Sequence, residues 1–184
     1  MANTARPQRR RWRPHPEGQL ARIAQGERGE RLLQDWLDRS RLAYLYLDQT
    51  PLTIPATHRA SIKRPDFLVA VDGRGMVALD AKAKTFVDGC FLLDVSERRR
   101  LDGFESWFAI PVWYACFPPA EPGRCYLFRN RELMGQGVRH RADEQIIAVP
   151  LTLGFAVDHA RLPLAQAFAS AGLPPSQNPV ACHV

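Results

Sequence analysis

The segment that most restricts the fold is a pair of short apolar runs, Phe67-Leu68-Val69-Ala70-Val71 and Met76-Val77-Ala78-Leu79, separated by Asp72-Gly73-Arg74-Gly75. Two β-rich runs of this length around an Asp-Gly turn specify an antiparallel hairpin. Side chains alternate between strand faces, so Asp80 and Lys82 point the same way as Met76 and Ala78, while Val77, Leu79 and Ala81 share the other face. Asp66 opens the first run after Arg64-Pro65, and the hairpin returns Asp80 and Lys82 to its side. The register sets a condition. A regular four-residue loop pairs Val71 with Met76 and Phe67 with Asp80, which sends Asp66 to the face opposite Asp80. A shared site needs a one-residue correction between Pro65 and Met76: an odd-length loop, a bulge or a bend. Pro65, without an N–H, already limits regular pairing just before Asp66.

Around this hairpin the pattern alternates between helix and strand. Residues 16–42 repeat apolar positions at helical spacing (Leu20, Ile23, Ala24, Leu32, Leu33, Trp36, Leu37). Gly26 and Gly29 interrupt the repeat and mark either a break or a close backbone approach. Gly26, Glu30, Leu33 and Leu37 form one stripe, which places Glu30 among residues expected to face the sheet. Residues 43–47 read as a strand. Ser96 is the expected cap of a helix running to about Phe108, with Leu101, Phe104 and Phe108 on one face. Ile110 to Phe117 reads as a buried strand stopped by Pro118-Pro119. Residues 125–128 and 146–149 are further strands, and Leu164 to Ala171 is a last helix ended by Gly172. The order predicts an α/β domain with a mixed sheet and helices on its faces.

Charge divides the chain into two regions. The net charge is +6, and Arg6, Arg9, Arg10, Arg11 and Arg13 precede the first acidic residue, Glu17. Residues 1–15 are therefore expected to be a basic, disordered tail, and 16–184 a single, nearly neutral domain. Such a tail attracts phosphate without sequence preference. Residues 110–117 and 149–157, the longest apolar stretches, are too short to span a bilayer, and no apolar signal segment follows Arg13. The four cysteines, Cys90, Cys116, Cys125 and Cys182, lack metal-ligand spacing, and reduced thiols in a cytoplasmic protein are the expectation. Trp107, Trp113 and Tyr114 are expected in the core. His58 and His140 have no catalytic spacing, and Gly73-Arg74-Gly75 lacks the continuation of a nucleotide-phosphate loop.

Two carboxylates and an ammonium at one sheet end have a chemical use. Carboxylate oxygens suit Mg²⁺, with Mn²⁺ as a substitute. Such a cation polarises a phosphodiester and acidifies a bound water. A neighbouring lysine orients that water or offsets charge at phosphorus. Lys84 lies on the same side as Lys82 if the strand stays regular. Arg59, Lys63 and Arg64 just before the hairpin, with Arg98 and Arg99 on the following helix, are the candidate phosphate contacts.

Pro65-Asp66 and Asp80-Ala81-Lys82, with Glu30 upstream on a helix, resemble the signature of the PD-(D/E)xK, or restriction-endonuclease-like, nuclease superfamily. Gly26-x-x-x-Glu30-Arg31, Leu101-x-x-Phe104 and Ile110-Pro111-Val112 are similar to archaeal-type Holliday junction resolvases. The resemblance covers roughly half the chain, from Ala24 to Ala115. It implies a restriction-endonuclease-like αβββαβ core and a metal-dependent endonuclease acting on nucleic acid, DNA in the first instance. Asp66 and Asp80 would bind the cation, the Ala81 carbonyl would add a ligand, Lys82 would assist the attacking water and Glu30 would support the metal. It also raises a homodimer as an expectation. Where many resolvases carry Gln near the start of the next helix, this chain has Ser96-Glu97-Arg98. A nuclease toxin or effector, and a binding module of the same fold without catalysis, are the alternatives.

Overall fold

The computed structural model describes residues 16–50, 54–141 and 144–172. The basic tail and Cys182 lie outside the described residues. The chain runs α1 (Pro16–Arg39), β1 (Tyr44–Tyr46), β2 (Phe67–Val71), β3 (Gly75–Lys82), β4 (Cys90–Asp94), α2 (Val95–Phe108), β5 (Val112–Cys116), β6 (Arg124–Arg129), β7 (Val138–Arg141), β8 (Glu144–Pro150), β9 (Phe155–Asp158) and α3 (Leu164–Ser170). Short 3₁₀ turns lie at Ala56–His58, Asn130–Leu133 and Leu151–Leu153.

Six strands form the central sheet in the order β1-β2-β3-β5-β6-β9, and three more form a small sheet, β4-β8-β7. β3 and β5 pair in parallel, while every other neighbouring pair is antiparallel. A parallel pair cannot be joined by a tight turn. The chain between them is long enough to build β4 and α2 on the way. β3 is buried on both faces from Val77 to Ala81, as a central strand must be.

The two faces carry different cores. On one, Leu33, Trp36 and Leu37 of α1 and Leu164, Ala167 and Phe168 of α3 pack against Phe67, Val69, Val77, Leu79 and Trp113. On the other, Leu101 and Phe104 of α2 and Phe91, Leu93, Ile147 and Val149 of the small sheet pack against Ala78, Val112, Tyr114 and Phe128. The result is a three-layer α/β arrangement around a mixed sheet.

Several local expectations are corrected. α1 is unbroken through both glycines. Gly29 is the point of close approach, since a Cβ there would stand 3.0 Å from the Ala83 nitrogen, whereas Gly26 faces open space. The sheet-facing stripe therefore runs through Gly29, Leu33 and Trp36, and Glu30 lies at its margin. Asp94, not Ser96, caps α2: its carboxylate accepts the Glu97 N–H at 2.7 Å. Trp113 and Tyr114 are buried, but Trp107 is 65% exposed, its ring 5.0 Å from that of His58.

Candidate active site

The hairpin supplies the one-residue correction that its sequence demands. The connecting loop has three residues, Asp72 to Arg74, and Val71 pairs with Gly75 and Phe67 with Leu79. The Arg74 N–H closes the turn on the Val71 carbonyl at 2.9 Å. Gly73 and Gly75 take φ of 67° and 84°, a region that glycine enters without steric cost. Continuing this register puts Asp66 opposite Asp80 rather than opposite Ala81. The ladder loosens at that end. The Asp66 N–H turns to the Leu79 carbonyl, and its carboxylate accepts the Ala81 N–H at 2.7 Å.

Asp80 is fully buried and sits at the centre of an ionic cluster. Lys63 donates to Asp80 Oδ1 at 2.6 Å and to Glu97 Oε1 at 2.5 Å. Lys82 donates to Asp80 Oδ2 and, at 3.2 Å, to Glu97 Oε1. Three elements meet here: β3 brings Asp80 and Lys82, the segment before β2 brings Lys63, and the first turn of α2 brings Glu97. The Lys63 N–H donates to the Arg100 carbonyl at 3.0 Å, which ties that segment to α2. Gly103 permits the contact, because a Cβ at that position would stand 2.1 Å from the Ser61 carbonyl oxygen.

The electrostatics follow from burying charge with partial compensation. Burial, then the neighbouring charge of Asp80, pushes the Asp66 carboxyl up to about 7 against the pull of Lys82 and Lys63. Burial alone would raise Glu97, but Lys82 and Lys63 overcome it and hold its carboxyl at about 2. Burial disfavours the Lys82 ammonium, but Asp80, Glu97 and Asp66 outweigh it and keep the group charged well above the ordinary lysine range. Lys84, beyond the end of β3, is shifted down by burial and by Lys82.

The remaining sequence candidates take no part in these ion pairs. Glu30 accepts the Tyr46 hydroxyl at 2.7 Å. That bond, with burial and the charges of Glu30, Asp66 and Asp48, pushes the phenol up to about 12. Tyr46 thus stands in the field of both Glu30 and Asp66. Arg59 donates to the Ile54 carbonyl and Arg64 to the Thr50 carbonyl, while Arg64 Nε and Arg98 Nη1 are buried without a hydrogen-bond partner. Arg99 is exposed.

Two members of the cluster were not assigned this place from sequence. Glu97 was visible only as the residue standing where resolvases carry Gln, and Lys63 only as a phosphate contact. Composition held a usable signal for Lys63. The chain has three lysines against twenty-two arginines, and all three, Lys63, Lys82 and Lys84, gather at this sheet end.

The donor set fits a hard divalent cation. Asp66 and Asp80 offer carboxylate oxygens of the kind such a cation takes, and the Lys63 ammonium bridges Asp80 and Glu97. Among the described residues no three His, Cys, Asp or Glu side chains form a ready-made ligand group. The lysines occupy the cationic positions instead.

No protein-family model and no curated protein matches the chain. Among solved structures it is similar to Hjc, a Holliday junction resolvase of the archaeal hyperthermophile Archaeoglobus fulgidus, with a TM-score of 0.50 and 19% identity. The match covers 77% of this chain and 98% of that one. The fold is restriction-endonuclease-like. In that fold, the sheet end where Asp66, Asp80 and Lys82 meet is formed by the β2–β3 hairpin, and α2 closes it from one side. Among the described residues no helix is long and apolar enough to cross a membrane, and Cys90, Cys116 and Cys125 are free thiols.

Proposed function

We propose that this protein is a metal-dependent endonuclease that hydrolyses phosphodiester bonds in DNA at the Asp66–Asp80–Lys82 cluster. The observation that carries the proposal is the convergence of these three side chains at one sheet end by a register that the hairpin sequence does not give by default. The similarity to Hjc, a Holliday junction resolvase, supports DNA as substrate, and the proposal takes a homodimer as the working form.

In this account Asp66 and Asp80 hold the cation, Mg²⁺ or in its place Mn²⁺, with the Ala81 carbonyl and Glu30 in support. When bound, the cation supplies Lewis acidity to the scissile phosphate and lowers the pKa of a coordinated water. Lys82, held as an ammonium, positions the attacking water and offsets the charge gathering on phosphorus. Glu97 orients Lys82 through its hydrogen bond. In the same account Arg59, Arg64, Arg98 and Arg99 hold the backbone by its phosphates, fixing position rather than sequence. The test is a substrate panel of duplex, single strand, flap, four-way junction and RNA, each with Mg²⁺ and with chelator. Chelator-sensitive cleavage of a DNA member supports the proposal, and an inert panel refutes it.

A further inference from the structure

Lys63 is the unexpected occupant of the site. A lysine two residues beyond the second carboxylate on the same strand, as Lys82 is to Asp80, accounts for the chemistry proposed above. A second lysine, from a different segment, takes the other Asp80 oxygen and Glu97 as well. With an ammonium group on each Asp80 oxygen, a divalent cation added there would face two positive charges at close range, which favours the withdrawal of one of them. Lys82 is the poorer candidate to leave, since its backbone is fixed in β3 beside Asp80 and its carbonyl accepts the Phe117 N–H at 2.7 Å. Lys63 lies outside the strands, and its side chain is the more exposed of the two, 19% against 11%.

We infer that Lys63 is a tethered cation that competes with the divalent metal for Asp80 and is displaced when the metal binds. This inference rests on the metal-dependent reading of the same site. Residue choice agrees with the role. The chain's other surface cations are almost all arginines, whose planar fork makes rigid two-point bonds, whereas an ammonium is a compact point charge on a flexible stem. Such a group can neutralise Asp80 and Glu97 in the metal-free protein and still withdraw. It keeps the buried carboxylates compensated, since an unpaired buried charge is costly. Lys63 is thus a positioning residue acting on the cation's access, not one that touches the reacting phosphate.

The test uses Mn²⁺ alone, without nucleic acid, on the full chain. Calorimetric titration should show Lys63→Met binding Mn²⁺ about tenfold more tightly than wild type, a difference of about 1.4 kcal/mol. Equal or weaker binding would overturn the inference. A second measurement needs no variant. The only amines are Lys63, Lys82, Lys84 and the N-terminus, so acetylation by an amine reagent, read by peptide mass spectrometry, reports directly on this site. Mn²⁺ should accelerate acetylation of Lys63 severalfold and leave Lys82 protected, and an unchanged or slower rate at Lys63 counts against displacement. Should neither wild type nor Lys63→Met bind Mn²⁺, the metal-dependent reading falls and this inference with it. If Asp80→Asn abolishes binding but Lys63→Met matches wild type, only the inference about Lys63 falls.

Discussion

Asp66 keeps its proton up to about pH 7 in the metal-free chain, because burial and the charge of Asp80 both oppose ionisation. Its ordinary value is 3.8, so between these limits the folded state binds the proton more tightly than the unfolded chain does. The stability this group contributes is full below about pH 4 and is lost as pH rises through about 7. Asp66→Asn removes the charge and keeps an oxygen for the Ala81 N–H. Without metal it should be more stable than wild type at pH 8, by on the order of 1–3 kcal/mol, with little difference at pH 4. Urea denaturation at the two pH values checks this, and an equal effect at both would contradict it. Glu97 has the opposite sign: its contribution is present above about 4.5 and fades as pH falls through about 2. At this scale the side shared by Asp80 and Lys82 was legible from strand alternation, and bringing Asp66 to them took the one-residue correction that the odd-length loop supplies. Glu97 was not, since its place depends on α2 docking its first turn over the sheet end, a tertiary fact. Trp107 misled for a similar reason: hydrophobicity suggests burial, but Trp107 and Phe108 in the last turn of α2 are both exposed.

The elements that carry the site depend on two glycine-dependent devices. Gly73 and Gly75 set the odd-length turn, and with it the register that puts Asp66 opposite Asp80. Inserting one alanine after Gly73 restores the even loop and should abolish cleavage while the chain still melts cooperatively. Retained cleavage would show that the strand start, not the loop, sets the position of Asp66. Gly103 brings α2 against the segment that carries Lys63. Helix propensity alone predicts that Gly103→Ala stabilises by about 1 kcal/mol. The 2.1 Å approach to the Ser61 carbonyl predicts the reverse, a loss of about 1–3 kcal/mol, measurable as a lower Tm. The main strands and helices were readable from periodicity and turn chemistry. β4, β7 and β9 were not, being four or five residues long and having little alternation to mark them. The small sheet that β4 and β7 help build was therefore unforeseen, although it supplies Phe91, Leu93 and Ile147 to the second core.

For the molecule as a whole, the three layers bury two separate cores, and the ionic cluster lies at one end of the central sheet. Residues 1–15 carry five arginines and no acidic residue. Removing residues 1–12 takes away four arginines, which should weaken DNA binding alike for all sequences and flatten the salt dependence of the affinity by up to about four phosphate contacts' worth. Binding isotherms at several salt concentrations read this, and an unchanged slope would mean that the tail makes no phosphate contacts. The mixed sheet and its helical faces follow from the alternation of elements, whereas the choice of substrate depends on surfaces outside the hairpin, where sequence pattern offers only scattered arginines. The central claim is that the buried pair Asp66 and Asp80 performs metal-dependent phosphodiester hydrolysis. Its most direct test is the single-turnover cleavage rate, with Mg²⁺, of wild type and Asp80→Asn on the substrate that the panel selects. The account predicts a fall of at least about a thousandfold in the variant, with its cooperative melting retained. Cleavage by Asp80→Asn at the wild-type rate would contradict it.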